Sequence, residues 1–322
     1  MRLKLVPTQT NWDFFKNSKL TLGFSALAMV ASIVLFFVVG LNFGIDFKGG
    51  TTIRTESPNQ VIVSDYREVL APLELGDITI TEVFDPTFEE DQHVTMVRIQ
   101  AQEGAESITI ETINAVQNAL TTLDENITFP SVESVGPKVS GELVQTAVLA
   151  VVAAIAAVLF YIWLRFEWQF SVGAVAALIH DVILTIGIFS ALQIKFDLAI
   201  IAALLTIVGY SLNDTVVVFD RVRENLRKYK KKALKDVLNL SINETLSRTV
   251  MTSVTTLIAL VSLFVLGGDV IRGFVFAMIW GVIVGTYSSI FVASAMLLRF
   301  GVKRDWSKTD NNQGNQYANI DA

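Results

Sequence analysis

The stretch LAIIAALLTIVGYSLNDTVVVF, residues 198–219, contains a single charged residue, Asp214. As a helix these residues rise about 33 Å, enough to cross a hydrocarbon core of about 30 Å. Five more apolar runs flank it, at about 20–40, 143–164, 170–192, 249–266 and 273–298. An α-helical polytopic membrane protein with six transmembrane helices is therefore expected. Composition agrees: the 322 residues are 52% hydrophobic and 17% charged, against about 25% charged in soluble domains. The first run follows Lys16 and Lys19 and includes Ala26-Leu27-Ala28, as a signal peptide would, but it continues to Val39. A cleaved h-region has about 7–15 residues, so the run reads as an uncleaved signal anchor.

Orientation follows from the basic residues. Segments 1–19, 165–169, 220–248 and 299–322 hold eighteen Lys and Arg, and the alternate segments hold seven. Both termini are thus expected in the cytoplasm and residues 41–142 outside. The formal charge of −6 conceals a polarised chain: the cytoplasmic segments sum to +9, the exported ones to −13, and Asp181 and Asp214 leave −2 within the spans. The loop 220–248 is strongly basic, and residues 221–236 read either as a helix on an anionic leaflet or as a solvated loop. The tail 299–322 is polar, and from Lys303 it is rich in Asn and Gln and expected to be disordered.

Residues 41–142 are long enough for a core of their own. Thr51 to Glu56 reads as a strand, and Ile62, Tyr66, Val69, Leu70 and Leu73 share one helical face. Two β-rich runs, Asp77 to Phe84 and Val94 to Gln100, are separated by the turn signal Asp85-Pro86. A second helical stripe, Ile113, Val116, Leu120 and Leu123, leads to a last strand from Ile127 to Val135. The order βαββαβ predicts a ferredoxin-like α+β domain.

Ionisable groups inside spans are costly and mark function by default. Apart from tyrosines there are three: His180, Asp181 and Asp214. Thr206, Tyr210 and Asp214 recur every four residues, with Asn213 alongside, and form a polar stripe along the fourth span. Arg248, Thr252, Thr255 and Thr256 form a second stripe at the entry to the fifth. Facing each other, the two stripes make Asp214 an acid whose protonation follows local hydration, a proton relay; the alternative is polar glue between helices. The His180-Asp181 pair reads equally as part of an ion path or as a device that orients the third span. In the last span Gly273, Ala277, Gly281, Gly285, Ser289 and Ala293 recur every fourth position, a small-residue face for close helix packing with an unspecified partner.

Several chemistries are excluded. The chain has no cysteine and two histidines, which removes disulfides, CxxC centres and histidine-rich metal sites. Gly136 to Gly141 has the glycine spacing of a phosphate loop, but Glu142 stands where its lysine is required, and HExxH is absent. An aspartyl dyad of Asp181 and Asp214 lacks a glycine-flanked aspartate, since Ser211-Leu212-Asn213 precedes Asp214. The basic segment offers only Tyr229 for stacking, so nucleic acid is not expected as a partner.

Gly44-Ile45-Asp46-Phe47-Lys48-Gly49-Gly50-Thr51 resembles the DFxGG signature of the SecD and SecF family of export proteins. Val135-Gly136-Pro137-Lys138-Val139, His180-Asp181, Gly209 to Asp214 and Asn243 to Thr249 continue the resemblance in the family's order, across most of residues 40–298. One chain with six spans and a small exported domain is more similar to the SecF side than to SecD. The resemblance implies half of an RND-type transporter in the bacterial inner membrane, not an enzyme, paired with SecD beside the SecY-E-G channel. YajC and YidC are further candidate partners, and an unfolded preprotein is the substrate. It implies use of the proton-motive force, or of sodium in its place, in late translocation, without a cofactor or metal. It matches Asp214 and Arg248 to proton-pathway residues, and Asp46, Phe47, Gly49 and Gly50 to a positional motif. A non-transporting scaffold subunit and a stand-alone small-molecule exporter are the competing classes.

Overall fold

The computed structural model describes residues 10–60, 62–83, 88–89, 91–101 and 108–302. In chain order the elements are α1 (Ser18–Val38), α2 (Ile45–Lys48), β1 (Gly50–Ser57), α3 (Val63–Leu70), a 3-10 turn (Ala71–Leu73), β2 (Ile78–Val83), β3 (His93–Gln100), α4 (Ile110–Thr121) and β4 (Thr128–Val135). They continue with α5 (Pro137–Arg165), α6 (Trp168–Leu192), α7 (Leu198–Lys228), α8 (Leu234–Leu266), α9 (Gly268–Ser288), a π-helical segment (Ser289–Ala293) and α10 (Ser294–Phe300). Among the described residues six helices are long and apolar enough to cross a membrane, the last running through the π segment to Phe300.

The helix ends depart from the apolar runs for physical reasons. The second span begins at Pro137 and not at 143, because Gly136 is its N-cap and proline is favoured at the first helical position, where its missing N–H costs nothing. Its polar first turns then stay outside the apolar run. The segment 220–248, read above as a loop, is helical except for residues 229–233. α7 and α8 continue past their apolar stretches because Val222, Leu226, Val237, Leu238 and Ile242 are buried in one core with Phe15, Phe166 and Phe219. No separate helix forms over residues 221–236. The turn at Asp85-Pro86 and the tail from Lys303 lie outside the described residues.

Between α1 and α5 the βαββαβ order is present as expected, in an antiparallel sheet of order β2-β3-β1-β4. Ile53 pairs with Val97 on one side and Val132 on the other. Ile53, Ile80, Val97 and Ile99 form one core with Tyr66 and Leu70 of α3 and Val116 and Leu120 of α4, so both helices cover the same face of the sheet. Burying each such side chain contributes about 1.5–3 kcal/mol.

α6, α7 and α9 are the inner helices, and α1, α5 and α8 carry most of the exposed apolar residues, such as Phe24, Val148 and Ile258. Glycine sets how closely the inner helices approach. A Cβ at Gly281 would collide with Ile207 of α7, and one at Gly285 would come within 3.0 Å of Ser211. The partner of the small-residue face is therefore the fourth span of this chain. Gly273 differs from the other two, since a Cβ there would make ordinary contact, 3.6 Å from Ile200.

Candidate functional site

The two buried acids of the bundle lie close together along α7 but in unlike surroundings. Asp181 of α6 is 1% exposed. Its Oδ1 is 2.9 Å from His180 Nδ1, and its Oδ2 accepts from Ser211 of α7 at 2.6 Å and from Ser288 of α9 at 2.8 Å. Those two serines share one acceptor because Gly285 lets α9 approach α7 beside Ser211. His180, also 1% exposed, stacks on Tyr287 of α9. The His180-Asp181 pair therefore fastens three inner helices together.

Asp214 lies three residues after Ser211 on α7. It is 4% exposed, and its Oδ2 has no hydrogen-bond partner among the described residues. Arg248 of α8 supplies the positive charge that acts on it, although the two form no ion pair. The two polar stripes do come side by side, joined by Tyr210 Oη donating to Thr256 Oγ1 at 3.4 Å. Thr206, Asn213, Arg248 and Thr255 are exposed on this face. The hydroxyls of Thr206, Thr252 and Thr255 donate to carbonyls of their own helices, which leaves their oxygens free to accept. Among the described residues no cluster of three or more His, Cys, Asp or Glu could hold a metal ion.

The ends of α7 are fixed by different devices. At the α/β-domain end, Asp46 Oδ2 accepts the N–H of Leu198, the first residue of α7, at 3.0 Å, while the N-cap Asp197 accepts from Ile200 at 3.3 Å. Gly44 N–H donates to the Phe196 carbonyl, and Phe196 N–H donates to that of Asn42. Phe43, Phe47 and Phe196 pack ring against ring beneath. Asp46 and Phe47 belong to a single helical turn, and Gly49 and Gly50 follow with φ of +75° and +129°. A Cβ at Gly50 would strike the Ile99 carbonyl, so this turn needs glycine twice over. Arg98 of β3 lies within the electrostatic influence of Asp197 and Asp46, and burial lowers its pKa against the pull of both carboxylates.

At the far end, Glu244 Oε2 accepts from Arg221 at 2.7 Å and from Asn225 at 2.6 Å, which clamps α8 to α7. Asn243 accepts from Trp12 N–H and donates to its carbonyl, which ties residues before α1 to α8. The sequence reading did not find Ser211, Ser288, Arg98 or the capping role of Asp46. Ser211 reads only as part of the motif that precedes Asp214, Ser288 stands beside the small-residue face without belonging to it, and nothing in Asp46's spacing announces a helix start 152 residues later.

Six apolar helices around ionisable groups, with one α/β domain between the first and second, define a polytopic membrane protein. A family model described as Protein export membrane protein SecD/SecF, C-terminal, matches residues 115–303, and one for the SecD/SecF GG motif matches residues 34–57. The chain belongs to the SecD/SecF family. It is 64% identical to the protein translocase subunit SecF of Cereibacter sphaeroides, over 100% of this chain and 99% of that one. With the SecF of Rhodobacter capsulatus it shares 61% identity over 96% and 95%. It also matches the SecDF of Brucella abortus at 41% identity, over 94% of this chain but 39% of that protein. The crystal structure of SecDF from Thermus thermophilus superposes with a TM-score of 0.81 at 34% identity, covering 93% of this chain and 40% of that one.

Proposed function

We propose that this chain is the SecF-type subunit of a bacterial inner-membrane export complex, a transport component and not an enzyme. With SecD it uses the proton-motive force to promote late steps of preprotein movement through the SecY-E-G channel. Its termini face the cytoplasm and its α/β domain the periplasm. The match to SecDF proteins, in which this chain corresponds to about two fifths of one longer polypeptide, supports the pairing with SecD. The exposed polar residues Thr206 and Asn213 on an otherwise apolar helix support it too, since polar groups facing lipid are costly.

The observation that carries the reading is Asp214, a buried carboxylate with an unpartnered oxygen beside, but not paired with, Arg248. A proton added there neutralises the carboxylate and removes its attraction to Arg248, which changes how α7 and α8 meet at Tyr210–Thr256. α7 is one continuous helix from Leu198 to Lys228, and its first N–H is held by Asp46 of the domain joint. A shift of α7 is thereby passed to the α/β domain without a flexible linker. No cofactor is needed. A sodium ion could instead take oxygens of Asp214, Asn213, Thr206 and Tyr210, and one carboxylate would balance its single charge, so the coupling ion is decided by the gradients in the experiment below.

Export into vesicles containing SecD and this chain, measured while the proton and sodium gradients are dissipated separately, tests the reading. Loss of gradient-dependent export with the proton gradient alone supports it, and loss with sodium alone overturns the coupling ion. Arg248→Lys keeps the charge but loses the planar fork, and partial activity is expected; full activity in Arg248→Met removes Arg248 from the mechanism. A scaffold role instead predicts that Asp214 variants change recovery of the complex and leave ion-driven export intact.

A further inference from the structure

At the end of the bundle away from the α/β domain, α5 stops at Arg165 and α7 runs on past its apolar stretch. Two arginines meet there around one ring. The guanidinium of Arg165 is 5.2 Å from the centre of the Phe166 ring and that of Arg223 is 6.0 Å from it, within reach of a cation–π attraction. Phe166 is buried and packs on Phe170 and Phe219 of the core, so the ring is a fixed seat for both. Arg223 also donates to the Arg165 carbonyl at 3.4 Å. That carbonyl is among the last of α5, where helix carbonyls lack an internal partner and a cation is favoured.

The charges at this corner do not balance. Arg165 pairs with Asp220 at 3.2 Å, and both remain half-exposed, whereas Arg223 has no carboxylate partner among the described residues. Arg227 follows one turn later on α7, and Arg299 precedes Phe300, whose ring packs on Trp168. Against these four arginines stand Asp220 and Glu167, the N-cap of α6; Glu224 is taken by Arg221 at 2.7 Å. The corner sits at a defined height. Trp163 and Leu164 of α5, Trp168 of α6 and Phe300 are exposed, an aromatic belt of the kind found at a membrane–water interface. Arg223 lies four residues after Phe219, the end of the apolar stretch, which is about 6 Å of helix rise and falls within a headgroup layer about 5–8 Å deep. Lys231, in the turn beyond the end of α7 at Lys228, stands farther out.

We propose that this corner binds the headgroup of an anionic phospholipid. Its phosphodiester accepts from Arg223 and Arg165, and an acyl chain lies along Trp163 and Leu164. A guanidinium offers a phosphate two parallel N–H donors, and the apolar belt directly beneath favours a lipid over a soluble phosphate. A zwitterionic head brings an ammonium that the surplus of arginines repels, so the corner selects a head of net negative charge. The bound lipid joins the ends of α5 and α7 to the leaflet. It leaves the proton chemistry of Asp214 untouched, so the two proposals stand or fail separately.

The test uses phosphatidylglycerol and phosphatidylcholine that carry the same photoactivatable diazirine in one acyl chain. Each is added in trace amount to phosphatidylcholine vesicles containing the complex of SecD with the full chain. The glycerol lipid is expected to label residues 163–168 about tenfold more than the choline lipid at low salt, and the excess should shrink as salt is raised. Arg223→Gln should cut the excess about fivefold, the worth of one arginine at an anionic surface. Lys231→Gln removes the same charge from the same end of the bundle but outside the headgroup layer, and should leave the excess unchanged. Recovery of the complex checks that both variants fold. Equal labelling by the two lipids, an excess unchanged in Arg223→Gln, or one that falls as far in Lys231→Gln would overturn the proposal.

Discussion

Asp181 and Asp214 are both carboxylates buried in the same bundle, one packed against α7 and the other on it, but one is saturated and the other is not. Asp181 is met by His180, Ser211 and Ser288 from three helices, whereas Asp214 has an unpartnered oxygen and a cation that stops short of an ion pair. A saturated acid is a fastener, because moving any of its helices breaks bonds that nothing in the bilayer replaces. An unsaturated one suits the switch proposed for Asp214, because its partners remain to be chosen. Burial alone does not separate the two; the count of donors does.

The contrast breaks most readily at Asp181. Asp181→Ala strands His180, Ser211 and Ser288 together, and the expected loss is on the order of 3 kcal/mol, seen as a marked fall in the melting temperature of the purified complex. Asp214→Ala should stay within about 1 kcal/mol of wild type in the same assay. If the two variants melt alike, the distinction between fastener and switch fails.

The approach of α9 to α7 supports the same fastener. Gly281→Leu should cost about 1–3 kcal/mol by overpacking against Ile207 and lower the melting temperature accordingly, whereas Gly273→Ala, with room beside Ile200, should be nearly neutral. A smaller effect is expected at the joint that links the switch to the α/β domain. Asp46→Ala removes a cap from α7, worth about 1 kcal/mol, and should impair gradient-driven export more than it impairs stability. Asp46→Asn, which keeps an acceptor oxygen, should restore most of it.

The smallest effect lies in the α/β domain. Hydrogen bonds from Ser57, the Asn126 backbone and Asn59 hold the Asp124 carboxyl below its usual value. A carboxyl depressed in the folded state stabilises above its unfolded pKa of about 3.9 and loses that contribution as pH falls through the folded value. Hydrogen exchange of β1 amides in the intact protein should therefore accelerate as pH drops below about 4, after correction for the intrinsic rate. Asp124→Asn should flatten that response.

The six spans and the βαββαβ order were legible because both rest on local periodicity, as in Tyr66 and Leu70 or Val116 and Leu120. Pro137 shows where that logic stops: helix starts obey caps, and the polar turns after Pro137 hid this one from hydropathy. Likewise α7 and α8 run on beyond the apolar stretches because Leu226 and Leu238 find a core at a distance. Asp214, His180 and Asp181 stood out as charges in apolar sequence. What separates a fastener from a switch did not, because Ser211 and Ser288 meet Asp181 across 30 and 107 residues of chain. A serine in an apolar helix looks the same whether it donates across the bundle or to its own backbone.

The most direct test replaces Asp214 with Asn in vesicles containing SecD and this chain, keeping the size and dropping the titration. Gradient-dependent export is expected to fall to the level seen without a proton gradient, while complex recovery and melting temperature remain those of wild type. Unchanged gradient-dependent export in Asp214→Asn would contradict the role of Asp214 as the switch.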